Sequence, residues 1–485
     1  MGDDNMVSKD IKVNKEKILT CFHYTSDLTT YEFESNYGIK MLICYIEGFI
    51  DRKILNDDIL KPLVLGLKDR EKIRQLIFSP KIEEEILFEN IVDELSHGKL
   101  AIFVDGEEKA YLVEISSWEK RSIEQPGAEA VVRGPKEGFI EDIAVNKVLL
   151  RRIIRSNNLV FENYKLGQQS KKAVSIAYVK GVVNEDVLEE VRRRLSKINI
   201  DAILESGNIE ELIEDKPMGL FSTISNAEKP DVVAAKILEG RVAIFTDGTP
   251  HVLIVPKLFI EGLQTSEDYY IRPHYASVLR FLRTLSLFIS IFLPGIFIAL
   301  QLYHQEMIPT TLLISAAGAR EGVPLPAVLE VFIMIIALEL TKESGLRLPK
   351  SIGMTVSIVG ALILGQAAVQ AGIVSGLTVI VVSIAAIAEF TIPDLANALV
   401  IARIVIIVLA GFAGIYGITI GFIIMAVHTL SLESFGVAYG WPIAPRDWEG
   451  LRKDTFTRAP IWKMVFRPKV LQNYNYRRQV PPRKK

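Results

Sequence analysis

Two long uncharged stretches constrain this chain more than any other feature of its sequence. Residues 284–303 (TLSLFISIFLPGIFIALQLY) and 404–427 (IVIIVLAGFAGIYGITIGFIIMAV) contain no Asp, Glu, Lys or Arg. A helix rises about 1.5 Å per residue and the hydrocarbon core of a bilayer is about 30 Å thick, so either stretch is long enough to cross it. Buried helices of soluble proteins usually stop near 10–14 apolar residues. The chain is therefore predicted to be an integral membrane protein.

The number of crossings is less simple. Basic residues precede the first span, and the tail from Arg446 onward carries twelve Lys or Arg against three acidic residues. The positive-inside rule therefore places both ends in the cytoplasm, which requires an even number of crossings. Five candidates conflict with this, so one segment within 352–427 is predicted to be a hairpin, interfacial or re-entrant. The candidate spans are 284–303, 324–341, 352–371, 373–390 and 397–427, with a shorter apolar piece at 308–319.

The region before the first span contains an internal duplication. The pattern G-[KR]-[LV]-A-I-F-x-D-G occurs at 98–106 and again at 240–248. Each copy is an apolar strand that ends in Asp-Gly, the dipeptide of tight hairpin turns, and a second β-prone run follows it. Each copy also follows a predicted helix, 83–95 or 231–238, which stops at the first glycine.

A weaker match links 41–50 with 174–183, each a predicted strand followed by an amphipathic helix. The order strand, helix, helix, hairpin thus occurs twice and favours two homologous subdomains over chance similarity of strands. The predicted fold class is two tandem duplicated α/β subdomains with mixed sheets, followed by a polytopic transmembrane helical domain. The predicted domains are a polar N-terminal extension (1–35), cytoplasmic subdomains (36–155 and 156–270), a transmembrane domain (271–445) and a basic cytoplasmic tail (446–485).

The residues do not support several classes of function. A formal net charge of −2 argues against a nucleic-acid-binding protein. Cys21 and Cys44 are too few for a disulfide framework and suit a reducing compartment. The six histidines lack metal-ligand spacing, and neither subdomain contains a nucleophile–base arrangement, a P-loop or a dinucleotide fingerprint. We therefore predict no enzymatic activity, no metal and no cofactor.

The loop RGPKEGF at 133–139 joins the two predicted subdomains. Its glycines, Gly134 and Gly138, and its cations, Arg133 and Lys136, are suited to holding an anion through backbone amides and charge. The same residues fit a rigid turn that docks one subdomain on the other. The sequence supports both interpretations, an anion loop and an interdomain turn.

Three charged residues are predicted to lie within the membrane region, where a charge costs at least about 2.5–3.5 kcal/mol on insertion scales. Glu330 lies one to two turns into its segment and is expected to face water or a neighbouring helix. Glu389 and Arg403 flank the turn TIPD and can pair across it. These three residues are the predicted intramembrane charged sites.

The segment 352–371 has one distinctive face. Its glycines and alanines permit close helix packing. A helix with this face can line a pore, or it can make ordinary interhelical hydrogen bonds. Residues three or four positions apart share the face, and those that we predict as pore-lining candidates are Thr355, Val359, Ile363, Gln366 and Gln370.

Eight strings of this sequence, in order, resemble the spore germination receptor A-subunit (GerA) family. They are RGPKEGF, VAIFTDGTPHVLIVP, SEDYY, EMIPTTLL, AREGVPLPAVLE, LRLPKSIG, VSIVGALILGQAAVQAGIVS and FTIPD. The resemblance extends from about Lys40 to Trp462. One departure is Glu389, where family members usually carry a small or uncharged polar residue.

The resemblance implies a subunit of a nutrient germinant receptor in the inner membrane of a bacterial endospore. It implies a multi-pass chain with cytoplasmic N-terminal domains and tail, in contact with membrane lipid, a transporter-like integral membrane B-subunit and a lipoprotein C-subunit. In such receptors the A-subunit is expected to form a homo-oligomer that conducts ions. A close relative encoded with the spore dipicolinate-channel proteins has the same architecture and is also compatible with the sequence.

Two other functions are compatible with the residues. A secondary transporter of a small nutrient or ion tends to have repeats in its membrane half, whereas the duplication here lies in the soluble half. A non-conducting scaffold would use its soluble domains to recruit partners. The leading prediction is a channel-forming or signal-transducing receptor subunit.

Overall fold

The protein consists of two β-sheet units followed by a helical bundle. Thr355 and Val359, two of the predicted pore-lining residues, lie outside the residues that the structure describes. The computed structural model describes residues 5–69, 73–79, 81–115, 133–347, 360, 363–471 and 475–479.

The first unit is a five-stranded sheet with strand order β1-β2-β4-β5-β3. Every neighbouring pair in it is antiparallel. Its elements are α1 (Ile11–Cys21), β1 (Leu28–Glu34), β2 (Lys40–Ile46), the helical segment α2 (52–66), α3 (Ile73–Leu76), β3 (Ile82–Glu85), α4 (Phe88–Ser96), β4 (Leu100–Val104) and β5 (Ala110–Val113).

The second unit repeats this plan with strand order β6-β7-β9-β10-β8. The identical strand order confirms the internal duplication. The prediction of mixed sheets was wrong, because the helices connect strands that are not neighbours and every described pair is antiparallel. Its elements are α5 (Ile143–Ile153), β6 (Leu159–Leu166), β7 (Lys172–Val179), α6 (Glu185–Ser196), α7 (Ser206–Ile213), β8 (Ser225–Ala227), α8 (Pro230–Ile237), β9 (Val242–Thr246) and β10 (Val252–Val255).

Both units begin with a helix whose N-terminus is capped in the same way. Asp10 and Asp142 are the N-caps, and their carboxylates accept hydrogen bonds from the backbone N–H groups two residues on, each at 2.8 Å. Both caps belong to a short sequence, D-I-x-V-N, at 10–14 and at 142–146. The two copies of the repeat therefore start with α1 and α5. Segment 1–35, predicted as a polar extension, contributes a helix and a strand to the first unit.

The asparagine of D-I-x-V-N fixes the chain that enters each helix. The buried amide of Asn14 accepts from the Ser8 N–H at 2.8 Å and donates to the Ser8 carbonyl at 2.7 Å. Asn146 makes the same pair of bonds with Ile140, at 2.9 and 2.6 Å. The repeat thus begins some thirty residues before the first predicted boundary and some fifteen before the second. The bounds 36–155 and 156–270 remain predictions about domains.

The spacing around the hairpins, which the two copies share, follows the prediction, with one exception. Gly98 and Gly240 end their helices with φ of +97° and +108°, conformations that favour glycine. The predicted helix at 83–95 is wrong in its first part, because residues Ile82–Glu85 form the edge strand β3. Pairing with β5 satisfies the backbone there and overrides the helix preference of three consecutive glutamates.

The described parts of the predicted apolar segments are mostly helical, and most of 352–371 before residue 363 lies outside the described residues. Two of its described helices are long and apolar enough to cross a membrane, Pro273–Leu302 and Pro393–Leu430, the second including the turn before α14. The helices are α9 (Pro273–Leu302), α10 (Thr310–Gly318), α11 (Ala327–Arg347), α12 (363–370), α13 (Gly376–Phe390) and α14 (Ala396–Leu430).

Helix α14 is interrupted at Gly414, and the chain folds back on itself there. The φ of 58° and ψ of −135° at Gly414 lie outside the helical region and favour glycine. A side chain at Gly421 would meet Ile406 at 2.5 Å, although fifteen residues separate the two along the chain. A straight helix would hold these positions about 22 Å apart. Residues 396–413 and 415–430 are therefore two antiparallel limbs of a helical hairpin. A hairpin was predicted within 352–427, whereas 397–427 is not the single helix that was expected.

Tyr303 closes the tip of this hairpin from the end of α9. Its hydroxyl donates to the carbonyl of Gly411 at 2.7 Å and lies 3.1 Å from that of Phe412. The interruption removes helical partners from these carbonyls, and an unpaired carbonyl is costly in an apolar environment. The hairpin tip lies beside the last residues of α9, at the end of the bundle away from the sheet units, which we call the distal end. The other ends of the two limbs, at residues 396 and 430, lie on the side of the sheet units.

The chain after the bundle returns to the second unit. A two-stranded ribbon, β11 (Glu433–Ser434) and β12 (Val437–Ala438), leads into short helical turns at 448–455 and 461–463. The amide of Asn184 then donates to the carbonyl of Leu471 at 2.8 Å. The described part of the predicted basic tail thus packs against the protein.

Candidate functional site

A buried carboxylate organises the distal end of the bundle. Glu330 in α11 is fully buried and forms an ion pair with Arg320, with 3.1 Å between Nη2 and Oε1. Its other oxygen accepts from the Ser375 N–H at 2.8 Å and from the Thr378 hydroxyl at 2.9 Å. The carboxylate therefore sits at the positive end of the α13 dipole. The interhelical environment expected for Glu330 is what the structure shows.

A second charge cluster joins three helices nearer the sheet units. Glu389 of α13 and Arg403 of α14 form the expected pair, with 2.9 Å between Oε2 and Nη1. Arg403 also contacts Glu339 of α11 at 2.8 Å, and Lys342 contacts Glu389 at 2.8 Å. Two carboxylates and two cations cancel, which lowers the cost of burying them among apolar helices. Glu339 and Lys342, three residues apart on α11, complete this cluster and were not among the predicted charged sites.

The described part of the predicted pore face lies on α12. Ile363 is 58% exposed, and Gln366 and Gln370 are also exposed. These three side chains therefore point away from the packed bundle, whereas Gly365 between them is buried. Five residues separate α12 from the N-terminus of α13, where Ser375 is held by Glu330. The Glu330 cluster thus restrains the distal end of the candidate face.

A junction of buried charges connects the second sheet unit to the bundle. Asp268 is fully buried between Arg280, at 3.0 Å, and Arg283, at 2.8 Å, both from α9. Burial would raise the pKa of Asp268, but the two guanidinium groups outweigh it and hold the pKa below its ordinary value. Asp454 joins the cluster, with its carboxylate 2.8 Å from Arg280 and 2.8 Å from the Tyr269 hydroxyl, which donates to it.

A second part of the junction surrounds Glu261, in the turn that follows β10. Arg241 at the start of β9 contacts one oxygen at 2.5 Å, and Lys236 of α8 contacts the other at 2.6 Å. These cations outweigh the effect of burial and lower the pKa of Glu261. The adjacent Gly262 packs on Leu395, at the start of the hairpin limb 396–413. Movement of the second unit would therefore reach both α9 and α14.

The loop at 133–139 lies against the second unit. Arg133 and Lys136 are exposed, while Gly134 lies so close to the Tyr270 ring that an added side chain would approach it to 2.8 Å. Gly138 is buried, and the Phe139 N–H donates to the Glu228 carbonyl at 2.7 Å. These contacts attach the loop to the second unit, and the docking-turn interpretation stays a prediction. Anion binding by the loop stays a prediction.

Comparison with known proteins identifies the class of protein that this arrangement belongs to. The family model described as Bacillus/Clostridium GerA spore germination protein matches residues 16–470. The chain is 42% identical over 449 residues to spore germination protein KA of Bacillus subtilis (strain 168), covering 91% of this chain and 82% of that one. It is 40% identical over 474 residues to the uncharacterized membrane protein YfkQ of the same organism, covering 96% and 92%.

One solved structure is also similar. It is the crystal structure of the N-terminal domain of the A subunit of the Bacillus megaterium spore germinant receptor GerK3. The similarity has 33% identity and a TM-score of 0.41, and covers 52% of this chain and 97% of that one. The family match across most of the chain and the relatives at 40% identity or more are decisive. This chain belongs to the GerA spore germination protein family.

Proposed function

We propose that this chain is the A-type membrane subunit of a nutrient germinant receptor in the inner membrane of a bacterial spore. It converts germinant sensing into ion release by forming a homo-oligomeric channel. A transporter-like integral membrane B-subunit and a lipoprotein C-subunit complete the receptor. The sheet units and the C-terminal segment lie in the cytoplasm.

The observation that carries the channel is the exposed face of α12. Ile363, Gln366 and Gln370 point outward from a bundle in which the buried Glu330, Glu389 and Arg403 are paired. Two exposed amides on an apolar helix are costly against lipid but suit a water-filled axis between copies. Thr355 and Val359, outside the described residues, stay pore-lining candidates by their sequence spacing alone.

Ion flux through the purified chain in liposomes tests this proposal. Ile363→Trp and Gln366→Trp are expected to reduce flux at least tenfold, because a bulky ring would obstruct the lumen. Ile401→Trp is the matched control: Ile401 is 56% exposed, close to the 58% of Ile363, but lies on α14. Equal flux in all variants would contradict the pore assignment. Absence of flux from every sample, including the unmodified chain, would favour the non-conducting scaffold.

We further propose six crossings. The segments are α9, α11, the segment that ends in α12, α13, and the two limbs of α14. This count is even and removes the conflict with two cytoplasmic ends. The hairpin at Gly414 supports it, because one predicted span becomes two.

Cysteine labelling distinguishes this topology from a single span over 397–427. Phe412 lies beside the hairpin tip and is 81% exposed. In a chain whose native cysteines are replaced by serine, Phe412→Cys should react with an impermeant maleimide from the non-cytoplasmic side. Ile401→Cys, mid-limb, should remain unreactive. If Phe412→Cys is unreactive from both sides while the chain remains folded, the hairpin does not reach the surface and the count is wrong.

A further inference from the structure

The chain between the last bundle helix and the final turns, residues 440–463, lies where the bundle helices end. Gly440 packs against Leu430, the last residue of α14. At the other end, the Arg458 N–H donates to the Ser277 hydroxyl, in the first turns of α9, at 3.0 Å. Between these points, Asp454 is tied to Arg280 of α9 at 2.8 Å. This interfacial segment, as we name it, therefore follows the sheet-facing end of the bundle.

The same segment exposes large apolar side chains although it is held in place. Trp448 is 60% exposed and Trp462 is 59% exposed, and Ile443 and Ile461 are exposed beside them. The exposed apolar surface of α9 begins at the same level, with Tyr275 and Val278. Tryptophan at the edge of an apolar belt is typical of the boundary between lipid and water.

The charge of the segment complements a lipid surface. Arg446, Arg452 and Lys463 are exposed, and among the described residues none of them has a carboxylate within ion-pair distance. Arg446 stacks on Trp448 with 3.6 Å between the guanidinium carbon and the ring centroid. A cationic group over an indole at a membrane surface can meet a phosphate while the ring enters the acyl boundary.

We propose that the interfacial segment binds the headgroups of anionic phospholipids in the cytoplasmic leaflet. Trp448, Trp462 and Ile461 insert at the acyl boundary, and Arg446, Arg452 and Lys463 face the phosphates. The inference rests on the proposed membrane role of the bundle. Because the segment also delivers Asp454 to Arg280, lipid binding would stabilise the junction between the second sheet unit and α9.

Quenching of Trp462 fluorescence by brominated lipid tests the proposal with the full chain in nanodiscs. The chain has four tryptophans, so the signal of Trp462 is the difference between the unmodified chain and Trp462→Phe. We expect brominated phosphatidylglycerol to quench Trp462 with a binding constant on the order of a hundredfold above that of brominated phosphatidylcholine, from the three cations together. A gain on the order of fivefold for each cation near the surface follows from the usual strength of that attraction.

The variant Arg446→Gln/Arg452→Gln/Lys463→Gln should bring the ratio of the two binding constants close to one. The matched control is Lys165→Gln/Lys171→Gln/Lys197→Gln, three exposed cations of the second sheet unit. It should retain the ratio of the unmodified chain. A ratio that does not change in the first triple variant overturns the proposal for anionic headgroups.

The outcomes separate this inference from the membrane role itself. A chain that does not incorporate into nanodiscs or liposomes contradicts the membrane role. A chain that incorporates but leaves Trp462 unquenched and in a water-like emission overturns the inference alone. An unquenched but blue-shifted Trp462 also overturns it, because a second copy of the chain then covers the ring.

Discussion

The two sheet units have the same topology and the same helix start, but their charged residues have different partners. In the first unit, Lys99 follows the glycine that ends α4 and contacts Glu83 at 2.6 Å and Glu94 at 3.0 Å, within its own unit. In the second unit, the equivalent residue is Arg241, and its close partner is Glu261 of the junction. The first unit keeps the pairs of Lys99 internal, although its buried Asp27 pairs with Arg151 of α5 at 2.9 Å, whereas the second unit extends its charge pairs to the bundle.

This difference indicates how a duplicated fold acquires two roles. The sheet core repeats, since Cys44 and Ala177 occupy matching positions beside β4 and β9. The surface around the core was free to change without altering the strand order. In the second copy, Glu261 belongs to the junction with the bundle. Asp268, in the neighbouring turn, pairs with Arg280 of α9. We infer that the second unit transmits movement to the bundle.

The largest expected effect on the free energy of local opening comes from removing the cation Arg241. Arg241→Met should lower the free energy of local opening of β9 and β10 by about 3 kcal/mol, because Glu261 stays buried with Lys236 as its remaining cation. Lys99→Met should change the opening of β4 and β5 by about 1 kcal/mol or less, since its partners are partly exposed. Hydrogen exchange of the full chain in detergent measures both. Equal effects in the two units would contradict the comparison.

The asparagines at the helix starts should instead behave alike. Asn14→Ala and Asn146→Ala each remove two half-buried hydrogen bonds and leave one backbone N–H and one carbonyl without that partner. We expect a loss of about 1–3 kcal/mol in the opening free energy of each unit. Exchange rates in α1 and α5 report on it. A large loss in only one unit would show that the shared start does not stabilise both.

The smallest expected effect depends on pH. In the second unit Glu162 contacts Arg192 and accepts from the Tyr178 hydroxyl at 2.7 Å, whereas the strand register places Tyr31 there in the first unit. Burial would raise the pKa of Glu162, but the hydrogen bonds from Arg192 and Tyr178 outweigh it and lower the pKa. Its stabilisation is therefore present above about pH 4.3 and is lost as pH falls through the lowered pKa.

The measurement is the protection of β6 and β7 against that of β1 and β2 in the full chain as pH is lowered. The second unit should lose about 1 kcal/mol or less, because the pair is partly exposed. Glu162→Gln should remove this loss and leave the first unit unchanged. A loss of the same size in the Gln variant would assign the pH dependence to another group.

Much of the structure of the two sheet units could be predicted, because the sequence patterns that specify it act over a few neighbouring residues. The hairpin Asp-Gly pairs and the helix-ending glycines act through their own backbone, so the pattern at 98–106 and 240–248 predicted them correctly. The start of the repeat was also present in the sequence, as D-I-x-V-N, but its spacing is short and the polar surroundings suggested an extension. The role of D-I-x-V-N is visible only in the structure, where Asn14 and Asn146 each pair with the backbone that precedes the helix.

The sequence by itself determined that two stretches are apolar enough to cross a membrane, that the soluble half is duplicated, and that Glu389 and Arg403 could pair. Side-chain polarity and local spacing are sufficient for those conclusions. The charge pattern predicted a hairpin, interfacial or re-entrant segment somewhere within 352–427. Tertiary structure alone decided that the stretch 404–427 is part of a hairpin, because hydropathy measures side chains, whereas the reversal at Gly414 is a backbone conformation. It also decided which cluster each buried charge joins, since ion pairs such as Glu339–Arg403 form between residues far apart in the chain.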